Sequence, residues 1–362
     1  MTVTTSYPGV YLSEEASLNF SISRSATAVP AFVFLRYGGN LAPEEKIVSY
    51  NSLAEFLVGR PEDPAQAYSA SYYKAVKLWF MNGGGRCYLV DIDGLDEIKK
   101  YSDITLLVSS GANNSGYSIL EPFNQLLQDG VNIFGLFDGP EERIKADGTQ
   151  DDVMSNVPDS SYAASFYPYV LASWTTDVIP PSAVAAVAIA LTDRTRGVWK
   201  APANVVINGI TPQYPVSDAL QSRFSQGKAL NMIRSFPNTG TVVWGARTLE
   251  DSDNWRYIPV RRLFNMVEKD IQKALNKLVF EPNSQPTWQR VKAAVNNYLH
   301  ALWQQGALAG NKEEDAWFVQ IGKDITMTED DINQGKMIVK IGLAAVRPAE
   351  FILLQFSQNI AQ

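Results

Sequence analysis

The sequence carries a single histidine, His300, and a single cysteine, Cys87, so the side chains that most often do chemistry are nearly missing. His300 could in principle serve as a general base. It lies in a helical pattern with Gln289, Lys292, Asn296 and Gln304, away from the apolar stripe of the same segment, and is expected to be a solvated surface residue. Most Ser-His and Cys-His mechanisms and almost all His-rich metal sites go with it. Cys87 follows "GGGR" and opens the apolar run "CYLVDI", which fits a buried thiol better than a reactive one, and no second cysteine exists for an internal disulfide. The glycines of "GGGRC" at 83–87 invite a phosphate-loop reading. Phosphate loops run strand, glycines, helix, so that amides at the helix start face the anion. Here a helix pattern precedes the glycines and a strand follows, so they read as a helix stop and a tight turn. Neither G-x-x-x-x-G-K-[ST] nor G-x-S-x-G occurs.

Carboxylates are the remaining option. Asp138, Glu141 and Glu142 fall in one expected loop, Glu313, Glu314 and Asp315 in another, and Asp330 and Asp331 at the start of a short helix. Two carboxylates at a set separation could hydrolyse a glycoside, but an acidic pair in a first helical turn is already explained by the helix dipole. A monomeric, hydrolase-like α/β enzyme of unknown chemistry therefore stands as the alternative reading. No cofactor and no metal are implied.

The elements that would position these residues come from composition and periodicity. A chain of 362 residues is long for one core, so two lobes are expected, and 46% apolar with 11% aromatic residues can fill them. Charged residues make up 19%, below the usual quarter or so of globular domains. The net charge of −7 argues against nucleic acid as a partner. The N-terminus lacks a basic-then-apolar signal, and no run of about 20 apolar residues could cross a membrane. The protein is expected to be made in the cytoplasm and at first to stay there.

The first part alternates, predicting an α/β sandwich over about residues 25–200. Strands are read at "LNFSISRS", "VPAFVFLRYG", "RCYLVDI", "DITLLV", "VNIFGLFDG" and "YPYVLASW". Helices are read at "NSLAEFLVG", with Ser52 and Glu55 in capping-box register and Gly59 closing it, at "YSASYYKAVKLWFMN", near 95–101, at "ILEPFNQLLQDG", and after Pro180 and Pro181. The polar stretch 139–160 reads as a surface loop. In the last third, two strands flank "PNTG", and a long helix begins near Pro259 with Val260, Phe264, Val267, Ile271, Ala274 and Leu278 along one stripe. A second helix starts near Pro286 and stops at Gly306. "AWFVQIG" is a strand, and "TMTEDDINQG" a short helix with Thr326 and Glu329 in capping-box register. "KMIVKIGLAAV" is a strand with Met337, Val339, Ile341, Leu343 and Ala345 on one side, broken by Pro348.

Both ends pose a pairing problem. In "PAEFILLQFSQNIAQ", Ile352, Leu354, Phe356 and Ile360 fall on one side of an extended chain, and Gln355, Ser357 and Asn359 on the other. No returning strand follows. "MTVTTSYPGVYLSEE" is equally extended and far from any hairpin mate. A strand with one apolar face gains a ladder of main-chain hydrogen bonds when it completes another chain's sheet edge.

The residues "YPGVYLSE" at 7–14, "DRTRGVWKAPAN" at 193–204 and "LNMIRSFPNTGTVVWGARTLEDSDNWRYIPVRRLFNMVEKDI" at 230–271 carry a resemblance, continued by "FEPNSQPTWQRV", "LWQQGALAG" and "VRPAEFILLQF". The chain resembles the contractile tail sheath proteins of contractile phages, R-type pyocins and extracellular contractile injection systems. The similarity covers both ends and all of 193–357, while 40–160 matches only in general layout. The short length looks most like the compact sheaths of antifeeding-prophage and virulence-cassette particles.

The resemblance implies a mixed α/β, two-lobed subunit with an N-terminal arm (1–17), an outer α/β domain (18–205), an inner sheath core domain (206–348) and a C-terminal arm (349–362). It implies that the arms, with Tyr7, Pro8, Val10 and Tyr11 at one end and Ile352, Leu354, Phe356 and Ile360 at the other, exchange strands with neighbouring subunits. The receiving edge would hold Phe318, Val319, Ile321, Val339, Ile341 and Leu343, and a short helix with Asp331, Asn333 and Lys336 would touch an inner tube. The arms would flex at roots marked by Pro8, Gly9 and Pro348. The implied function is structural and non-enzymatic: rings assemble extended, then shorten and widen to drive the tube through a target envelope. Implied partners are copies of the chain and sister sheath subunits, the inner tube protein, and baseplate and terminal cap proteins, with no nucleic acid and no membrane insertion. Assembly would occur in the bacterial cytoplasm before release as an extracellular particle or a virion tail.

Overall fold

Continuous apolar runs become the centre of one sheet. A computed structural model describes residues 21–34, 46–59, 70–112, 119–145, 147–155 and 157–351. Its elements are β1 (Pro30–Phe34), β2 (Ile47–Tyr50), α1 (Leu53–Gly59), α2 (Ala70–Met81), β3 (Cys87–Asp91), a 3-10 helix (Ile92–Lys100), β4 (Leu106–Val108), α3 (Leu120–Gln128) and β5 (Phe134–Asp138). They continue with α4 (Gln150–Met154), β6 (Ala163–Tyr167), β7 (Val170–Ala172), α5 (Pro181–Arg196), β8 (Ile210–Pro212), α6 (Asp218–Arg223), β9 (Leu230–Phe236) and β10 (Gly240–Trp244). The last are α7 (Ile258–Leu275), α8 (Gln285–Gln304), α9 (Glu313–Ala316), β11 (Trp317–Gln320), α10 (Glu329–Asn333) and β12 (Lys340–Leu343).

Eight strands form the main sheet in the order β10-β9-β6-β5-β4-β1-β3-β2. Neighbours from β9 to β3 run parallel, and antiparallel β10 and β2 flank them. Parallel strands are covered on both faces, which is why β1, β3 and β5 are buried throughout rather than alternating. One face packs on α1, α2 and α5 around Phe32, Phe56 and Trp79. Nearly every residue in the first three turns of α5 is buried, which accounts for its small-residue run "SAVAAVAIAL". The other face packs on the 3-10 helix, α3 and α4 through Leu95, Ile98, Phe123 and Met154. A third core, built by α7, α8, β11 and β12, takes over along α7 from Leu263.

Several expectations are corrected. The main sheet takes in β9 and β10, so it runs past the expected division between 205 and 206. The hairpin signal around "PNTG" is local and does not report that β9 lies parallel to β6. Residues 21–25 of "LNFSISRS" pair with no strand. Side chains hold that stretch and the residues after it instead: Ser25 N–H donates to Asp270 (2.8 Å), and Arg262 donates to the Thr27 carbonyl (2.9 Å). "YPYVLASW" splits at Pro168, which lacks the amide a ladder needs: the main-sheet strand β6 ends before it, and β7 pairs separately with β8. The core strand β6, "AASFY", opens on small residues and so carries no strand signal in the sequence. Within 139–160, Thr149 and Asp152 form a capping box that starts α4. At α10 the capping pair is Thr328 with Asp331, not Thr326 with Glu329, and the Thr326 hydroxyl donates to the Ile338 carbonyl (2.7 Å) instead.

A free strand edge beside an apolar groove

α7 and α8 each open with proline in the first turn, Pro259 and Pro286, where the missing amide costs nothing. Their stripes meet through Leu263, Val267, Ile271, Val291, Val295, Leu299 and Leu302. The turn between them exposes Phe280 fully, with φ at +77°, a left-handed conformation unusual for a bulky residue.

β11 alternates strictly: Trp317 and Val319 are buried, Phe318 and Gln320 exposed. It pairs antiparallel with β12 in the register Trp317↔Leu343, Phe318↔Gly342 and Val319↔Ile341. The Phe318 ring folds over Gly342, where a Cβ would run into it. Ala344 donates to the Ala316 carbonyl (2.8 Å) and accepts from Ala309 (2.7 Å), and Val346 donates to Ala307 (3.3 Å). Even-numbered residues of this strand thus face β11. Because main-chain groups alternate along an antiparallel strand, Ile341 and Leu343 turn their amides and carbonyls to the opposite edge. Among the described residues no strand pairs there.

Beside that edge lies a groove of about 510 Å³ between α7 and β12. Phe264, Val267, Ile271 and Leu275 supply one wall, Ile341 and Leu343 the other, and Glu268, Gln272 and Asn276 complete the lining. A strand laid on the free edge would place alternate side chains against these apolar walls. Ile341 and Leu343 are the expected receiving residues that line the groove. Val339 packs on the third core, Val319 and Ile321 are buried in it, and Phe318 is half-exposed over Gly342. The arm residues Tyr7, Pro8, Val10, Tyr11, Ile352, Leu354, Phe356 and Ile360 lie outside the described residues.

The expected tube helix, α10, is held by its own cap. Asp331 accepts from the Thr328 amide (3.0 Å) and hydroxyl (2.7 Å), bonds that hold its carboxyl below the usual range. Lys336 Nζ lies 4.0 Å from Asp331, and Asn283 of the α7–α8 turn donates to the Lys336 carbonyl (2.9 Å). Asn333 and Lys336 are exposed.

The enzyme candidates come apart. His300 is half-exposed, with Nδ1 2.8 Å from Glu313 and its ring against Trp303 and Trp317. Asp138, expected in a loop, ends β5 and is buried. It accepts from the Ser109 hydroxyl and from the amides of Gly111 (2.8 Å) and Ser182 (2.8 Å), so its oxygens anchor the start of α5. Burial pushes its carboxyl up, against the downward pull of those bonds. The buried Cys87 thiol is likewise pushed up by desolvation. Gly83 and Gly84 end α2, with Gly84 against the Trp79 indole, and the chain leads into β3 rather than a helix. Among the described residues no cluster of three or more His, Cys, Asp or Glu could hold a metal, and no helix is long and apolar enough to cross a membrane.

Two buried arginines make ion pairs that spacing in the sequence does not predict. Arg262 pairs with Asp193 (2.7 Å), welding α7 to the end of α5, and Arg247 pairs with Glu350 (2.6 Å). Arg262, Asp193 and Arg247 stand inside the motifs quoted for the resemblance, but spacing alone does not reveal partners so far apart in the chain.

An edge strand beside an apolar groove is a surface on which a further strand could pair. The phage tail sheath C-terminal domain family matches residues 250–359. Among solved structures, the sheath complex of an extracellular contractile injection system (PVC) in its contracted state is 50% identical, with 99% of each chain covered and a TM-score of 0.88. A chain of the anti-feeding prophage (AFP) baseplate in the contracted state is 58% identical over 98% of this chain and 100% of that one, with a TM-score of 0.87. A chain of the AFP helical sheath in the contracted state is 44% identical over 98% and 100%, with a TM-score of 0.80. A comparison with curated proteins returns no match. The chain belongs to the contractile tail sheath family.

Proposed function

We propose that this chain is a structural, non-enzymatic subunit of the contractile sheath of an extracellular, phage-tail-like injection particle. The observation that carries this reading is similarity over nearly the whole chain to sheath chains of contractile injection systems, at 50% identity for the PVC sheath. Copies of the chain stack into a helical sheath that meets a baseplate. The subunits assemble extended and contract to drive an inner tube through a target envelope.

Within that reading, the free edge of β12 receives an arm from a neighbouring subunit, with alternate side chains such as Leu354 and Phe356 set into the groove beside α7. The support is the unpaired edge, the apolar walls at Ile341 and Leu343, and the period-two pattern of the tail. α10, with Asn333 and Lys336 exposed, faces the inner tube, and a terminal cap closes the sheath. The particle assembles in the bacterial cytoplasm before release. Contraction uses no nucleotide: strain held in subunit contacts is released as the bodies slide, each moving as a unit because close-packed cores deform poorly.

Negative-stain microscopy of the purified full chain tests the reading. Tubes or stacked rings are expected, and without an inner tube they should take the wide, short lattice. Uniform small particles at every concentration would overturn it in favour of a monomeric α/β protein.

A further inference from the structure

Residues 340–350 cross from the third core to the other lobe. β12 and residues 344–346 belong with the third core, where Ala345 bridges to Leu308. Four residues after Val346, Glu350 is held by the other lobe. Its partner Arg247 follows β10 and is 9% exposed. The Arg247 backbone is tied to β9 through Asn231, whose side chain accepts from its amide (2.8 Å) and donates to its carbonyl (2.8 Å). The guanidinium forks onto Glu350, with Nε 3.1 and 3.0 Å from the two carboxylate oxygens and Nη2 2.6 Å from Oε2. Nη1 donates to the Ser225 carbonyl, and the Tyr257 ring lies 5.9 Å away. Such planar, two-toothed pairing fixes direction as well as distance.

The N-terminal root is held in the same way. Ile22 packs on the third core, and Thr27 is bonded by both Arg262 and Asp193 before the chain enters β1. Each root therefore bridges the two lobes before reaching the residues that would exchange.

We infer that Arg247 is a positioning residue for the C-terminal arm: its bridge to Glu350 fixes where the arm leaves the body. A pull on the arm is carried into the main sheet through β9, so the arm is anchored at Glu350 rather than rooted at Pro348. This rests on the sheath reading above.

The test uses the full chain with Glu350→Ala, Glu350→Asp and Arg247→Lys. Thermal unfolding of the unassembled subunit and the protein concentration needed for polymerisation are measured together. Glu350→Ala leaves the buried guanidinium unpaired and should lower the unfolding midpoint, while raising the polymerisation concentration about tenfold, more than the lost subunit stability accounts for. Its tubes should lose regular helical order. Glu350→Asp should recover much of the loss, and Arg247→Lys, which keeps charge but not the fork, should fall between. The inference is overturned if Glu350→Ala polymerises at the wild-type concentration into the same lattice. It is equally overturned if polymerisation falls only in step with subunit stability. A wild-type chain that never polymerises would instead sink the sheath reading itself.

Discussion

The two lobes satisfy their strands in different ways. In the main sheet the β10 edge is bonded from within. The segment after α5 lies along β10: Asn204 donates to Val243 (2.8 Å), Ile207 donates to Thr241 (2.9 Å), and Val206 bridges Val242. Two helical layers cover its faces, and side chains such as Phe32 and Trp79 are fully buried, each stabilising by roughly 1.5–3 kcal/mol. Among the described residues the third core holds a sheet of two strands, and its outer strand, β12, is half-buried, with its free edge beside an open apolar groove. Two strands are marginal alone, and α8 supports this pair through Trp317 and Val319 without filling the edge. The two lobes thus diverge at their edges: the chain's own 204–207 segment bonds the β10 edge, whereas among the described residues no strand pairs with the outer edge of β12 beside its groove.

Breaking the vacant side should give the largest effect. Deleting residues 352–362, or placing Asp at Leu354 or Phe356, should abolish polymerisation, read by sedimentation, while the subunit remains folded by circular dichroism. Breaking the closed side should do the opposite. Asp138→Ala strands the Gly111 and Ser182 amides in a buried site and should cost about 3 kcal/mol of stability. Urea unfolding should show the midpoint falling, with whatever subunit remains folded still able to polymerise. A smaller effect is expected at Gly342→Ala. The new methyl must push the half-exposed Phe318 ring aside, at about 1 kcal/mol, and should roughen the pair that presents the free edge. Smallest of all is His300→Gln, which should change stability by no more than about 0.5 kcal/mol and leave polymerisation untouched.

The same contrast explains what could be read from the residues alone. α7 and α8 were legible because long amphipathic stripes with proline starts are local signals, and β11 and β12 because they alternate. β6 was not, since "AASFY" opens on small residues and does not alternate, and its place is set by parallel neighbours distant in sequence. The capping register at α10 is ambiguous in sequence because Thr326 and Thr328 each precede an acidic residue three positions on; the bond from Thr326 to Ile338 and the Thr328–Asp331 box separate them. At the candidate edge, periodicity puts Ile341 and Leu343 on one side of a strand and the resemblance makes them receiving residues, but neither shows the groove wall from α7 or the Arg247–Glu350 bridge. Both depend on how the chain returns from the third core to the main sheet.

The central claim is that the free edge of β12 is closed by another copy of the chain. A cryo-EM map of the assembled sheath, at a resolution that traces the main chain, tests it most directly. The account predicts a strand hydrogen-bonded to Ile341 and Leu343 that traces back to a neighbouring subunit, with its apolar side chains in the groove beside Phe264 and Ile271. An edge left bare in the tube, or filled by the subunit's own tail, would contradict it.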